Sequence, residues 1–167
     1  MIARNHRRYT VKHRGQDPKA SFTFSRPIGL DSKTWRQVEP IFAALEQAQH
    51  HAGRFRFYGY LAAVYRTYQE WRDLGISQRM ARHLAKNLMI PRRKGTSPVR
   101  TLIDATFPAL DSKRKSRWSR ALEFAALTKA TADDLPKLFK NYSGIAGCAR
   151  LATKQKPKKN KDRNDWI

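Results

Sequence analysis

Apolar residues recur along most of this chain with the period of an α-helix, and the clearest stripe is Leu61, Val64, Tyr65, Tyr68 and Trp71. These positions stand at i, i+3, i+4, i+7 and i+10, on one face of a helix spanning about residues 58 to 74. Gly75 is a natural C-terminal stop for it. Upstream, Asp31 and Ser32 are N-cap candidates for a short helix around Trp35 and Val38. Pro40 is expected to break that helix or to open the next, because proline is tolerated only in a first turn. A helix from there to His51 would bury Ile41, Phe42, Ala44, Leu45 and Ala48, with Gly53 ending it.

The same period continues downstream. Ile76-Ser77 reopens a helix with Ser77 as its N-cap, and Pro91 requires that helix to stop near Ile90. Ser97-Pro98 caps and opens another, with Val99, Leu102, Ile103 and Phe107 inward and Pro108 closing it. Asp111-Ser112 opens a longer helix through Trp118, Ala121, Leu122 and Ala125. Thr131 with Asp133 and Asp134 predicts the next start, a hydroxyl cap followed by carboxylates in a positively polarised first turn. Its apolar face would be Leu135, Leu138, Phe139 and Tyr142. Residues 143–152 are rich in small side chains and suit a last helix packed closely on a neighbour. Phe22-Thr23-Phe24 is the one extended candidate, and no repeat at solenoid spacing is present. The fold class expected is therefore all-α, a small domain of about six to seven short helices over residues 21–152. A flexible basic arm at 1–20 and a disordered basic tail at 153–167 would flank it.

Charge changes the picture more than any single motif. The 167 residues carry 35 Lys and Arg against 13 Asp and Glu, a formal net charge of +22. Removing the six basic groups and one acid of residues 1–20, and the six and two of residues 153–167, leaves 23 basic and 10 acidic groups. The helical part is thus basic in its own right, at +13. Such self-repulsion opposes compactness and is relieved by an anionic partner, nucleic acid first. The composition, 40% hydrophobic with 18 aromatic residues, is enough to fold. No run approaches the roughly 20 apolar residues of a membrane span, so no membrane association by a spanning helix is expected. The first residues lack the apolar core of a secretory signal. A single cysteine, Cys148, excludes an internal disulfide and any cysteine-rich zinc module, and is compatible with a cytoplasmic setting.

The most informative stretch is Ser77-Gln78-Arg79-Met80-Ala81-Arg82-His83-Leu84-Ala85-Lys86-Asn87-Leu88. At about 100° per residue Met80, Ala81, Leu84, Ala85 and Leu88 face inward. Arg79, Arg82, His83 and Lys86 fall on the opposite side without a carboxylate, and Arg92, Arg93 and Lys94 follow directly. An ordinary solvated helix face mixes both signs. With Leu74-Gly75-Ile76-Ser77 joining two amphipathic helices, residues 58–90 resemble a helix-turn-helix DNA-binding motif. The resemblance implies that Ser77, Gln78, Arg79, Arg82, His83 and Lys86 face the major groove, with Leu84 the buried aliphatic anchor. Arg79 or Arg82 would fork onto guanine and Gln78 would pair with adenine. Two positions depart from that family's pattern: Trp71 stands where a small residue is usual, and Ala81 where a branched aliphatic is usual.

Lys113, Arg114, Lys115, Arg117 and Arg120 form a second basic cluster at a helix start, open either to phosphate binding or to a solvated first turn. The two clusters lining one groove is a further alternative. Aromatic residues offer two candidates for stacking on unpaired bases, Trp166 in the basic tail and Phe55 with Phe57, interleaved with Arg54 and Arg56. Tyr65, Tyr68, Trp71 and Trp118 read instead as core.

Catalysis requires converging titratable groups, and candidates are few. Glu70 and Asp73 share a helix face but read better as partners of Arg66 or Arg72. His50-His51 are adjacent, which is not the i, i+4 spacing of a helical metal pair. No catalytic residue, metal ligand or cofactor is assigned. The expectation is a non-enzymatic protein binding double-stranded DNA, a transcriptional regulator or a nucleoid or mobile-element accessory factor. Arg92–Lys94, the Lys113–Arg117 cluster and both tails would clamp phosphates, and a homodimer is compatible with this although no heptad marks one. RNA, as for a ribosome-associated protein, and an acidic protein partner stand as alternatives.

Overall fold

In the computed structural model, residues 26–53 and 55–155 are described. The expected arm at 1–20, the Phe22–Phe24 segment, Arg54 and the tail with Trp166 lie outside them. The described residues are all-α: seven helices and no strand. They are α1 (Ser32–His50), α2 (Tyr58–Asp73), α3 (Ser77–Asn87), α4 (Pro98–Thr106), α5 (Ser112–Leu127), α6 (Leu135–Asn141) and α7 (Gly144–Gln155). Among the described residues no helix is long and apolar enough to cross a membrane.

α2 organises the fold. Tyr60, Leu61, Val64, Tyr65 and Trp71 are almost wholly buried, and α2 packs on α1, α3, α4, α5 and α6. Polar atoms carried into this core are paired, as burial requires. Trp71 Nε1 donates to Gln37 Oε1 at 2.9 Å, and the Thr67 hydroxyl donates to the Gln37 carbonyl at 3.3 Å, fastening α2 to α1. Tyr60 shares a 2.8 Å hydrogen bond with Thr106 of α4, and Tyr65 donates to the Ala130 carbonyl beyond α5 at 2.9 Å. Tyr65, Trp71 and Trp118 are core residues, with Tyr68 partly buried against them.

The caps expected at Asp31, Ser97 and Asp111 form, each side chain accepting from the backbone amide three residues on. The close packing expected of the small-residue helix is also present, with α7 lying against α5 over much of its length. Cys148 and Gly147 are buried there, and burial pushes the Cys148 thiol up to about 11.

Four boundaries differ from the sequence expectation. Pro40 neither breaks nor starts a helix: α1 runs through it for 19 residues. Pro40 sits on the exposed face, where water can satisfy the carbonyl that loses its amide partner. Ser77 is not the N-cap of α3. At the end of α2, Gly75 (φ +67°) donates to the Arg72 carbonyl and Ile76 to the Trp71 carbonyl, a Schellman closure. The Ile76 carbonyl then accepts from Met80, so Ile76 holds the cap position without a side-chain bond. α3 stops at Asn87 rather than near Ile90, because Met89 turns left-handed (φ +53°) and Ile90 bonds back to Ala85. Finally, α6 begins at Leu135, since Thr131–Asp134 forms a separate turn in which the Thr131 hydroxyl donates to Asp134 Oδ2 at 2.6 Å.

Candidate nucleic-acid interface

The α3 helix is held from one side. Ala81, Leu84 and Ala85 are buried, Met80 and Leu88 partly so, and the helix leans mainly on α4 rather than on α2. The Trp71 indole, buried and bonded to Gln37, occupies space near the end of α2 that a small residue would leave open. Only Leu74, Gly75 and Ile76 connect α2 to α3.

Outward, Arg79, Arg82 and Lys86 form an exposed row at i, i+3 and i+7. None of the three has an ion pair among the described residues. Among the described residues Arg82 Nε engages the Gln78 carbonyl of its own helix, at 3.3 Å. Ser77 is half-buried at the start of this face. Two neighbours assigned to the same surface are turned to internal tasks. His83 Nε2 lies 2.9 Å from Asp31 Oδ2, tying α3 to the N-cap of α1, with Asn87 Nδ2 3.0 Å from the same nitrogen. Gln78 Oε1 accepts from Arg92 at 2.7 Å. The His83 contact, followed by the Thr34 hydroxyl and amide, holds the Asp31 carboxyl well below the usual carboxylate range.

Arg92 therefore does not belong with the free cations of its loop. It is half-buried, and its guanidinium also holds the Thr96 carbonyl at 2.7 Å and Thr101 Oγ1 at 3.2 Å. Arg93 and Lys94 are exposed and form no ion pair among the described residues.

The second cluster divides in the same way. Lys115 is buried, its ammonium 3.2 Å from Asp104 Oδ1 and 3.1 Å from the Pro108 carbonyl it donates to. It stabilises the α4–α5 connection and presents nothing to a ligand. Arg120 is committed to the Ser116 carbonyl and to Thr153 of α7. Lys113 and Arg117 are exposed, and Arg114 is exposed with its Nε 3.4 Å from Asp111.

The two clusters do not line one groove. Arg92, bonded to Thr101, sits at the start of α4, and Gln37 of early α1 meets the late-α2 residues Thr67 and Trp71. The end of α4 meets the start of α2 through Thr106 and Tyr60, and Phe57 packs on Trp118 of α5 at 5.2 Å. The α3 face and the α5 cluster thus stand at opposite ends of α2, whose 16 residues span about 24 Å.

Asp73 pairs with Arg72 at 3.3 Å, as expected, whereas Arg66 reaches Asp133 at 2.7 Å instead. Among the described residues no group of three or more His, Cys, Asp or Glu side chains could hold a metal ion. Arg56, left out of the sequence-based site, comes next to Arg114 and Arg117 around an open cleft. The alternation of arginine and phenylalanine over residues 54–57 is the sequence signal for it. Comparison with protein-family models, with curated proteins and with solved structures finds no match.

Proposed function

We propose that this protein binds double-stranded DNA through the exposed face of α3. The observation that carries the reading is the row Arg79, Arg82 and Lys86, three exposed cations with no carboxylate among them on a helix anchored along its opposite side. Arg93 and Lys94, exposed in the loop that follows α3, add positive charge nearby in the chain. In this reading α2 and α3 act as a helix-turn-helix, with α3 in the major groove. Arginine forks there take the N7 and O6 acceptors of guanine, and lysine neutralises phosphate. Gln78 and His83 act as supports for the face, since both are held within the protein. The +13 carried by residues 21–152 supplies the sequence-independent part of the affinity.

Fluorescence anisotropy against duplex DNA, single-stranded DNA and structured RNA tests this, with random-sequence competitor and several salt concentrations. Duplex binding that survives competitor is expected, with Arg79→Ala or Arg82→Ala losing about 1–3 kcal/mol and relaxing sequence preference. Uniform weakening on every sequence, with a shallower salt slope, would reduce α3 to a phosphate clamp. Preference for structured RNA, or no nucleic-acid binding near physiological salt, would overturn the reading in favour of RNA or an acidic protein.

A further inference from the structure

At the start of α2, away from α3, an open cleft of about 270 Å³ is bounded by three arginines, Arg56, Arg114 and Arg117, and by the aromatic side chains of Phe57, Tyr58 and Trp118. Among the described residues no carboxylate lines it. The nearest acid in sequence, Asp111, caps α5 and engages Arg114 from one edge at 3.4 Å. Arg56 lies over the Phe57 ring, 4.7 Å from its centroid, which holds the guanidinium plane while leaving its in-plane N–H donors available. Arg56 and Arg117 have no ion pair among the described residues. Two such forks, with Arg114 held from one edge by Asp111, bound one cleft and suit the oxygens of a phosphate, which guanidinium groups take in bidentate fashion.

The rim adds a second element. Phe55 is 60% exposed and packs on Tyr58 at 5.1 Å between centroids, with the rings tilted by 57°. Tyr58 is in turn fixed edge-on to the buried Phe139 at 5.2 Å. An exposed ring on a rigid aromatic base, beside an open cationic cleft, is the pairing that single-strand recognition uses: charge for the backbone and a stacking surface for the base.

From this arrangement we infer that the cleft binds one unpaired nucleotide of a single strand, its phosphate held by Arg56, Arg114 and Arg117 and its base stacked on Phe55. This goes beyond the α3 reading and survives its failure, because the two surfaces stand at opposite ends of α2 and are altered by separate substitutions.

The test uses the full chain with a fluorescently labelled oligothymidylate and an abasic strand of equal length, at roughly 0.15 M salt. Inorganic phosphate serves as competitor. Arg117→Ala is expected to weaken oligothymidylate binding about tenfold and duplex binding far less, while Arg79→Ala weakens duplex binding more than oligothymidylate binding. Phe55→Ala is expected to weaken binding of the oligothymidylate and not of the abasic strand. Both side chains are exposed, and unchanged thermal unfolding of the variants verifies their folds. Wild-type affinity of Arg117→Ala for the single strand overturns the inference. So does an equal loss of both strands in Phe55→Ala, and so does displacement of the strand by phosphate without any effect of Phe55→Ala.

Discussion

The Arg92 guanidinium donates to Gln78 Oε1 at 2.7 Å, so two side chains that the sequence assigns to a ligand surface are bound to each other instead. With its further bonds to the Thr96 carbonyl and Thr101 Oγ1, Arg92 joins the first turn of α3, the loop after α3 and the start of α4. Arg92→Ala removes a charged donor from three acceptors and is expected to lower stability by about 1–3 kcal/mol. Arg93→Ala and Lys94→Ala, which remove exposed cations, are expected to stay within about 0.5 kcal/mol of wild type. Denaturant unfolding of the three variants checks this, and an unchanged midpoint for Arg92→Ala would contradict it.

Lys115 and Lys113 make a similar contrast two residues apart. Asp104 is shared between Arg100 at 3.0 Å and the buried Lys115 ammonium at 3.2 Å. Lys115→Ala leaves the Pro108 carbonyl without its donor and Asp104 with one cation rather than two. A loss of about 1–3 kcal/mol is expected, with nucleic-acid affinity of the folded fraction unchanged. Lys113→Ala should leave the thermal midpoint in place. Calorimetry beside a binding titration reads both.

Asp31 makes the amino-terminal end of α1 sensitive to acid. Its carboxyl is held below the usual range by His83 and Thr34. A carboxyl with a lower pKa folded than unfolded contributes stability above the unfolded value, about 3.9, and that contribution is lost as the pH falls through the lower folded value. Asp31→Asn keeps an N-cap acceptor and removes the charge. Wild type should therefore melt above Asp31→Asn near neutral pH, and the difference should begin to narrow below about pH 4 and go on shrinking as the pH falls further. A difference unaltered down to about pH 2 would show that the charge has no part in it.

Two glycines should respond in opposite directions to the same substitution. A Cβ on Gly147 would lie 1.6 Å from the Tyr142 carbonyl oxygen, a backbone atom with little room to move. Gly147→Ala is expected to cost about 1–3 kcal/mol or more by displacing the Ser143–Gly144 turn and loosening α7 from α5. At Gly59, in the first turn of α2, a Cβ meets nothing within 4 Å among the described residues. Gly59→Ala should gain about 0.5 kcal/mol by restricting the unfolded chain. Opposite shifts in thermal midpoint verify the pair.

The periodic stripes determine much of this protein without tertiary information. The all-α class, the caps at Asp31, Ser97 and Asp111, and the buried faces of α2, α4 and α5 all follow from local spacing, because a helix buries what its period of 3.6 residues aligns. The exposed row of α3 is legible for the same reason: Met80, Ala81, Leu84, Ala85 and Leu88 fix which side faces out.

What the period leaves open is what each outward polar side chain touches. Asp31 and His83 are 52 residues apart in sequence and 2.9 Å apart in space, and no local pattern encodes that contact. Sequence alone cannot separate Arg92 from Arg93, or Lys115 from Lys113, since each pair differs by which neighbouring helix lies within reach. Even Pro40 depends on the packing of α1, which turns that position to water and lets the helix continue. The sequence by itself therefore determined the helices and the sign of the surface, which are local and additive properties. Only the tertiary structure decided which cations remain available to a ligand, because an ion pair is made between elements whose distance the chain order does not specify.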